Sequence, residues 1–280
     1  MLLYFLYLIL SPILWIILIF SSIFNHKIRT RFRDLPISWK SALIKIKQKK
    51  LKRKLIILHA ASAGEFEQLK PILRRVDHDK YFVLQSFFSP TIFEKEKDSS
   101  LFDAVCYLPF DFAGSVYLFF KKFQPEILII TRHDIWPTHL FFAKLFKVKT
   151  YLINGNLYDE SSRLKWPLKA LNSWVFKHFD LVIAGSERLA NNFKKLVSND
   201  KIITISDTRF DQIIERKKQN KTEHFPKNIC DSKNIIFGSI IESDFDVVFG
   251  AIKIRYPNGD KSLNNLENRL IFVPHEVDEK

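Results

Sequence analysis

The chain is poor in cysteine: Cys106 and Cys230 are the only two among 280 residues. Two cysteines are too few for a disulfide framework, which favours a reducing compartment. Neither cysteine has metal-ligand spacing and the eight histidines are scattered, so we predict no metal site and no cofactor. The sequence also lacks a recognisable nucleic-acid-binding module, and we expect no nucleic-acid partner.

Charge is absent from Leu2 to Phe24. About 20 apolar residues, at 1.5 Å each, cross the ~30 Å hydrocarbon core of a bilayer. A cleaved signal peptide would carry positive charge before this run and a small-x-small cleavage site after it. Here the basic residues come after the run, and basic flanks stay in the cytoplasm. We therefore predict that residues 1–25 form an uncleaved membrane anchor, with monotopic insertion as the alternative.

Basic residues are abundant, and the net charge is +14. Many of them lie in residues 26–54, close to the predicted anchor. Each Lys or Arg near a membrane surface contributes about 1 kcal/mol of attraction to anionic lipid. We predict a basic membrane-proximal segment that binds anionic lipid and leaves the rest of the chain on the cytoplasmic face. The alternative is a solvated linker.

Short apolar runs alternate with helix-length amphipathic stretches beyond residue 54. This pattern predicts right-handed βαβ units and a parallel sheet covered on both faces, hence an α/β fold. The predicted strands are Leu55–Leu58, Phe82–Gln85, Val105–Leu108, Ile127–Ile130, Thr150–Ile153, Leu181–Ala184, Ile202–Ile205, Ile235–Phe237 and Leu270–Val273. The predicted helices are Phe66–Arg75, Lys165–Lys177 and a helix near Asp244–Ile254.

A polar stretch from Thr208 to Lys233 divides this pattern. We predict an N-terminal Rossmann-like domain over residues 55–210, a linker over 211–233, and a C-terminal unit over 234–280. The C-terminal unit has two predicted strands and one predicted helix, so we expect an incomplete second Rossmann-like domain.

The segment His59–Glu65 reads H-A-A-S-A-G-E and follows the first predicted strand. Its small residues suit a tight turn or a close approach to a ligand. Glu65 then lies at the carboxyl end of the strand, where ligands bind in open α/β sheets, and is a candidate general base. Ser62 and Glu65 also have capping-box spacing, in which the carboxylate only satisfies a backbone N–H. Both roles are compatible, since a capping carboxylate can remain accessible.

Seven short motifs occur in an order that resembles one enzyme family. They are His59–Glu65, Y-L-P-F-D at Tyr107–Asp111, D-I-W-P at Asp134–Pro137, N-G-N-L-Y-D-E-S at Asn154–Ser161, D-T-R-F-D at Asp207–Asp211, Gly238–Ser239, and F-V-P-H-E at Phe272–Glu276. Together they are similar to those of the 3-deoxy-D-manno-octulosonic acid (Kdo) transferases of lipopolysaccharide assembly. The resemblance implies a GT-B-like glycosyltransferase of two Rossmann-like domains behind an N-terminal membrane-anchor helix.

The resemblance also implies a reaction. Members of the family transfer Kdo from CMP-Kdo to a lipid A precursor, with inversion and without a metal. Glu65 corresponds to their general base, which removes the proton of the attacking sugar hydroxyl. Arg209 corresponds to a basic residue that offsets negative charge on the leaving phosphate or donor carboxylate. Its alternative is a surface arginine paired with Asp207 or Asp211.

Two positions depart from the family pattern. Arg132 occupies the place of an acidic residue implicated in the transition state, whereas Asp134 keeps a second acidic position and is expected to act there or to order the loop. In the segment that contacts CMP, His275 stands where the family has an arginine. Histidine keeps a hydrogen-bond donor but lacks the planar, always charged guanidinium of arginine. The expected CMP-binding residues are Ser239, Pro274, His275 and Glu276.

The glycine-rich segment with which the family cradles its donor nucleotide has no counterpart in this sequence. We therefore expect a truncated or split product, or one completed by another chain. Two further interpretations stay open: an inactive or partner-dependent, membrane-anchored acceptor-binding module, and a membrane-tethered glycosyltransferase for another acidic sugar.

Overall fold

The computed structural model describes residues 2–50, 52–218, 227–265 and 268–275. The chain divides into two compact units, residues 1–218 and residues 219–280. Each unit is an α/β structure with parallel strands.

The first unit is built on a seven-stranded parallel sheet with the order β3-β2-β1-β4-β5-β6-β7. Its strands coincide with the predicted apolar runs to within two residues at each end. They are β1 (Lys54–Ala60), β2 (Tyr81–Phe87), β3 (Ala104–Tyr107), β4 (Ile127–Thr131), β5 (Lys149–Gly155), β6 (Leu181–Ala184) and β7 (Ile202–Thr204). The predicted Rossmann-like α/β fold is confirmed.

Two hydrophobic clusters cover the two faces of this sheet. In β1, Leu55 and Ile57 belong to one cluster, whereas Ile56 and Leu58 belong to the other, as the alternation of strand side chains requires. Burial on both faces explains why the strands read as continuous apolar runs. The helices of this unit are α1 (Leu2–Phe24), α2 (His26–Lys49), α3 (Ala63–Leu73), α4 (Pro90–Glu96), α5 (Ala113–Phe123), α6 (Pro137–Leu145), α7 (Leu168–Phe176), α8 (Glu187–Phe193) and α9 (Arg209–Lys218).

Helix α1 is long and apolar enough to cross a membrane by length and composition. One of its faces nevertheless packs on the first unit. Tyr4 is buried and stacks on Trp174 of α7 with ring centroids 4.3 Å apart, and Trp15 stacks on Phe112 at 5.1 Å. The opposite face of α1 exposes large apolar side chains, including Ile9 and Ile16.

Most of the basic segment predicted over residues 26–54 forms the helix α2, and part of this helix packs in the core of the first unit. Trp39 and Ala42 are buried in the core, and the Trp39 indole Nε1 donates a hydrogen bond to Tyr107 O at 2.9 Å. The apolar residues of α2 recur on one face, so a segment that is basic in composition still covers the sheet.

The first part of the linker predicted over residues 211–233 also belongs to a helix. This helix is α9, which packs on α3 through polar contacts. Gln212 Nε2 donates to Glu67 at 3.0 Å, and Arg74 pairs with both Gln212 and Glu215. A polar helix can therefore belong to a domain when its partners are charged side chains rather than a core.

The second unit contains a parallel pair of strands. Its described elements are α10 (Lys227–Cys230), β8 (Lys233–Ile240), α11 (Phe245–Arg255), α12 (Asp260–Asn265) and β9 (Asn268–Pro274). The predicted strands and helix of this unit are all present. The register shifts between Gly238 and Ile240, which leaves Ser239 in a bulge with a φ of 61°.

Candidate functional site

The carboxyl ends of β1 and β4 define the candidate site of the first unit. The strand order reverses between these two neighbours, and such a switch point is where open α/β sheets bind ligands. A hydrogen bond bridges it: His59 Nε2 on β1 lies 2.7 Å from Asp134 Oδ2, in the loop after β4. The other ring nitrogen of the fully buried His59 bonds to Ser86 Oγ on β2 at 2.9 Å.

Glu65 lies in the first turn of α3, which follows β1. Its Oε2 accepts hydrogen bonds from the backbone N–H groups of Ala61 (2.6 Å) and Ser62 (3.2 Å), while Ser62 Oγ accepts from the backbone of Glu65. The predicted capping box is therefore present. Both carboxylate contacts end on Oε2, so among the described residues Oε1 is left to accept a proton. A Cβ added at the neighbouring Gly64 would meet no atom within 4 Å, so there is open space beside this turn.

The two carboxylates at this edge differ in acidity. Burial raises the pKa of Glu65; the hydrogen bond from Ala61 opposes this effect and the charge of Asp134 adds to it. Burial also acts on Asp134, but the hydrogen bond and charge of His59 outweigh it and hold the pKa of Asp134 below its usual value. A raised pKa makes the ionised Glu65 the stronger base of the two, whereas Asp134 stays ionised as the partner of His59.

Arg132 and Asp134 occupy the loop that follows β4. Arg132 has a φ of 63°, and its backbone N–H donates to Ile153 O on β5 at 2.9 Å. Asp134 Oδ1 accepts a hydrogen bond from the indole of Trp136 at 3.0 Å, so the carboxylate orders its own loop. The loop-ordering alternative for Asp134 thus has direct structural support, and its contact with His59 places it at the site as well.

Two of the sequence motifs meet helix α3 around Thr208, the residue before Arg209. Thr208 Oγ1 donates to Gln68 O on α3 at 2.6 Å and accepts from Asn154 Nδ2 at 2.8 Å. Asn154 Oδ1 in turn accepts from the backbone of Thr208 at 3.1 Å. Next to Asn154, a side chain at Gly155 would lie 2.9 Å from Phe193, which explains the glycine of this motif.

Arg209 is exposed, and its side chain contacts Gln68 on α3. With the Gln68 amide oxygen turned toward it, its guanidinium donates hydrogen bonds of 2.9 and 3.2 Å to Gln68. The backbone of Arg209 donates to Asp207 at 2.8 Å. The ion pairs found among the described residues include none between its guanidinium and Asp207 or Asp211, which speaks against the simple surface pairing.

Two polar residues of this region were not singled out from the sequence. His59 belongs to the segment that the sequence predicts to turn, although a histidine that ends a buried apolar run needs partners. Arg31 falls within the predicted basic membrane-proximal segment, yet its guanidinium is buried, lies 3.6 and 4.0 Å from the ring centroids of Phe88 and Phe110, and donates to Leu108 O. Burial lowers the pKa of Arg31 to about 9. The sequence carries no local signal for that burial.

The predicted donor-binding residues of the second unit lie at the carboxyl ends of β8 and β9. Ser239 Oγ and His275 Nδ1 are 2.7 Å apart, and Pro274 is the last residue of β9. All three are exposed. Glu276 lies outside the described residues. Within the described ranges, no three His, Cys, Asp or Glu side chains converge in a way that suits a metal ion.

Comparison with solved structures supports the fold. A UDP-N-acetylglucosamine 2-epimerase matches with a TM-score of 0.54 and 11% identity over 80% of this chain and 70% of that chain. The UDP-GlcNAc 2-epimerase of Neisseria meningitidis matches with the same TM-score and 16% identity over 80% and 73% of the two chains. Together with the parallel α/β sheet, these likenesses confirm the GT-B-like fold class, and at such identities they show the fold alone.

Comparison of sequences is more specific. The 3-deoxy-D-manno-octulosonic acid transferase of Aquifex aeolicus is 27% identical over 222 residues, which are 79% of this chain and 54% of that protein. The transferase of the same name from Chlamydia trachomatis serovar A is 25% identical over 80% of this chain and 52% of its own length. The chain thus spans about half the length of these relatives. The family model described as 3-deoxy-D-manno-octulosonic-acid transferase (kdotransferase) matches residues 37–212, well over half of the sequence, and the chain belongs to this family of glycosyltransferases.

Proposed function

We propose that the protein takes part in the transfer of Kdo from CMP-Kdo to a lipid A precursor, without a metal. The observation that carries this proposal is the position of Glu65, at the switch point of the sheet, with one carboxylate oxygen engaged by the helix cap and the other left to take a proton. A base is needed there because a sugar hydroxyl is a poor nucleophile until it loses its proton.

In the proposed reaction the acceptor hydroxyl oxygen forms a bond to the anomeric carbon of Kdo from the face opposite CMP. The bond from that carbon to the CMP phosphate oxygen breaks, and its electron pair leaves with CMP, so the configuration inverts. The hydroxyl proton passes to Glu65 Oε1. The capping N–H groups on Oε2 fix the orientation of the carboxylate, which favours transfer along one direction.

Arg209 and Asp134 have supporting roles in this proposal. The Arg209 guanidinium, held beside Gln68, offsets negative charge on the leaving phosphate or the donor carboxylate. Arg132, half-buried in the loop after β4, is a second cation available for the anionic donor. Asp134 stays ionised and fixes His59 and Trp136, so its contribution is to hold the loop in place. Ser239, Pro274, His275 and Glu276 remain the proposed contacts to CMP.

We also propose that the protein acts at the cytoplasmic face of the inner membrane. Helix α1 packs one face on the first unit and exposes an apolar face, an arrangement that supports side-on insertion of α1 as much as crossing. The exposed lysines near the end of α2, Lys47, Lys49 and Lys52, would add attraction to anionic lipid.

The test is the variant Glu65→Gln in a transfer assay with CMP-Kdo and a lipid A precursor, supplied with a donor half from a relative if the chain alone is inactive. Glutamine still accepts the capping hydrogen bonds but takes no proton, so we expect kcat to fall on the order of 10²–10⁴-fold. The thermal midpoint should stay within a few degrees of the wild type.

The matched control is Glu67→Gln, two residues along α3, whose carboxylate contacts Lys70 and Arg216 instead of the cap. It should keep nearly full turnover. Turnover retained in Glu65→Gln would return Glu65 to a purely capping role, and a wild-type protein that transfers no Kdo even with the donor half would contradict the proposed function.

A further inference from the structure

A cavity of about 230 Å³ separates α1 from the loops at the carboxyl edge of the sheet. Its walls come from α1 on one side and from the segments that follow β2, β3 and β4 on the other. The side chains that shape it are mainly aromatic: Trp15, Phe88, Phe110, Phe112 and Trp136, together with Leu14. The cavity therefore lies between a membrane-length apolar helix and the edge that carries the candidate site.

The hydroxyl and carboxylate groups in its wall already have partners inside the protein. Tyr7 donates its hydroxyl to Asp111 at 2.7 Å, and Asp111 also accepts from the backbone of Thr138 and from the backbone and ring of His139. Ser11 donates to Leu8 O within α1, at 2.8 Å. A ligand that entered the cavity would find these polar groups occupied and would meet aromatic faces, which suit a hydrocarbon chain.

One end of the cavity continues onto an apolar surface. Leu14 lines the cavity and is half exposed, and the neighbouring turns of α1 expose Leu10, Ile13 and Ile17. If α1 embeds this face in the membrane, a hydrocarbon chain can pass from the bilayer into the cavity without crossing water, so its desolvation is already complete.

At the other end, two hydrogen bonds connect the wall residue Trp136 to the candidate site. Trp136 stacks on Phe88 at 6.2 Å and donates its indole N–H to Asp134, which bonds to His59 at the end of β1. A chain that contacts Trp136 is thus held next to the loop that borders the switch point. A lipid seated in this way would present its head group near Glu65.

We propose that this cavity binds one acyl chain of the acceptor lipid and so positions the sugar head group of that lipid at the catalytic edge. The inference rests on the proposed function, since it assigns the acceptor's place at the same site. An acyl chain of a bulk phospholipid has the same chemistry, but a phospholipid carries no sugar head group to place at the site that Trp136 and Asp134 border. Each buried methylene strengthens binding by about fourfold, at about 0.8 kcal/mol.

The experiment uses the full chain in lipid nanodiscs and two photoactivatable probes. One probe is a lipid A precursor with a diazirine at the end of an acyl chain, and the other is phosphatidylethanolamine with the same labelled chain. Mass spectrometry should locate crosslinks of the first probe at Trp15, Phe110 and Phe112, and unlabelled precursor should suppress them. The phospholipid probe should label the outer face of α1, at Ile13 and Ile17.

A pair of serine variants on α1 supplies the control. Ser11→Leu fills the cavity, whereas Ser22→Leu makes the same change outside it, at a residue with the same type of bond to the helix backbone, to Ile19 O. We expect crosslinking of the precursor at the cavity to fall at least tenfold in Ser11→Leu and to stay unchanged in Ser22→Leu. If Ser11→Leu misfolds, the positions of the crosslinks in the wild-type protein still test the proposal.

Two outcomes would overturn the proposal: precursor crosslinks confined to the outer face of α1, or equal labelling of the cavity by the phospholipid without competition. Failure of the proposed function has a different signature. In that case the precursor would still be captured in the cavity while no Kdo was transferred. If only the cavity proposal fails, Ser11→Leu would transfer Kdo with an unchanged KM for the precursor.

Discussion

The two units carry their motif residues at the same place, the carboxyl ends of parallel strands, but they support them differently. In the first unit, His59, Glu65 and Asp134 are linked to buried groups by short hydrogen bonds. In the second unit, the Ser239–His275 contact lies at the surface, and Tyr256 is the one buried hydrophobic residue among those described beyond residue 218.

The difference shows what a site needs beyond its motif. Parallel strands are normally covered on both faces, as β1 is, whereas β8 and β9 expose Ile236 and Phe272 at 63% and 41%. Packing and buried partners fix the rotamers of a site, and they also make its residues expensive to change. Substitutions at the edge of the first unit should therefore cost far more stability than those in the second.

The largest expected effect on stability is that of Asp134→Ala. The change leaves the buried His59 Nε2 and the Trp136 indole without their acceptor. A buried donor without a partner costs about 1–3 kcal/mol, so we expect a loss of about 2–3 kcal/mol in the free energy of unfolding, roughly 4–12 °C in the thermal midpoint. Asp134→Asn keeps an acceptor and should cost less. A midpoint for Asp134→Ala within 1 °C of the wild type would contradict the buried network.

A smaller loss is expected for Thr208→Val, which keeps the shape of the side chain and removes its two hydrogen bonds to Gln68 and Asn154. The backbone contact from Thr208 to Asn154 remains. We expect the free energy of unfolding to fall by about 1–2 kcal/mol, measured by denaturant titration. Thr204→Val is the control, because Thr204 is exposed on β7. Equal stability of the two variants would argue against convergence of the motifs at Thr208.

The sequence predicts part of this network. Apolar runs locate the strands, and S-x-x-E spacing locates the cap of Glu65, because both depend on residues close in the chain. His59–Asp134 and Thr208–Asn154 join residues that are far apart in the chain, and no local pattern specifies them. The same limit explains α9 and Arg31: composition shows a charged segment as polar, and only its tertiary partners show whether it is buried.

The dependence of stability on pH gives a finer comparison. Burial raises the pKa of Glu65, so the folded protein holds this proton more tightly than the unfolded chain does. The wild type should therefore lose stability relative to Glu65→Gln as pH rises from the unfolded pKa through the folded one, and the difference should then level off. Thermal midpoints of both proteins between about pH 4 and pH 8 measure it.

The lowered pKa of Asp134 acts in the opposite direction, since its contribution is lost only as pH falls through that depressed value. It is present in both proteins and cancels from the difference. If the thermal midpoint of the wild type instead rose relative to that of Glu65→Gln with increasing pH, the pKa of Glu65 would not be raised in the folded protein.

The smallest effect should come from His275→Ala in the second unit. The hydrogen bond between His275 and Ser239 lies at the surface, where water replaces a lost partner, so the free energy of unfolding should change by less than about 0.5 kcal/mol. Ser239→Ala removes the other partner, but it also places a new residue at a φ of 61°, so His275→Ala is the cleaner test. A loss of 2 kcal/mol or more in denaturant titration would mean that His275 is buried by contacts beyond those described, and the contrast between the two units would no longer hold.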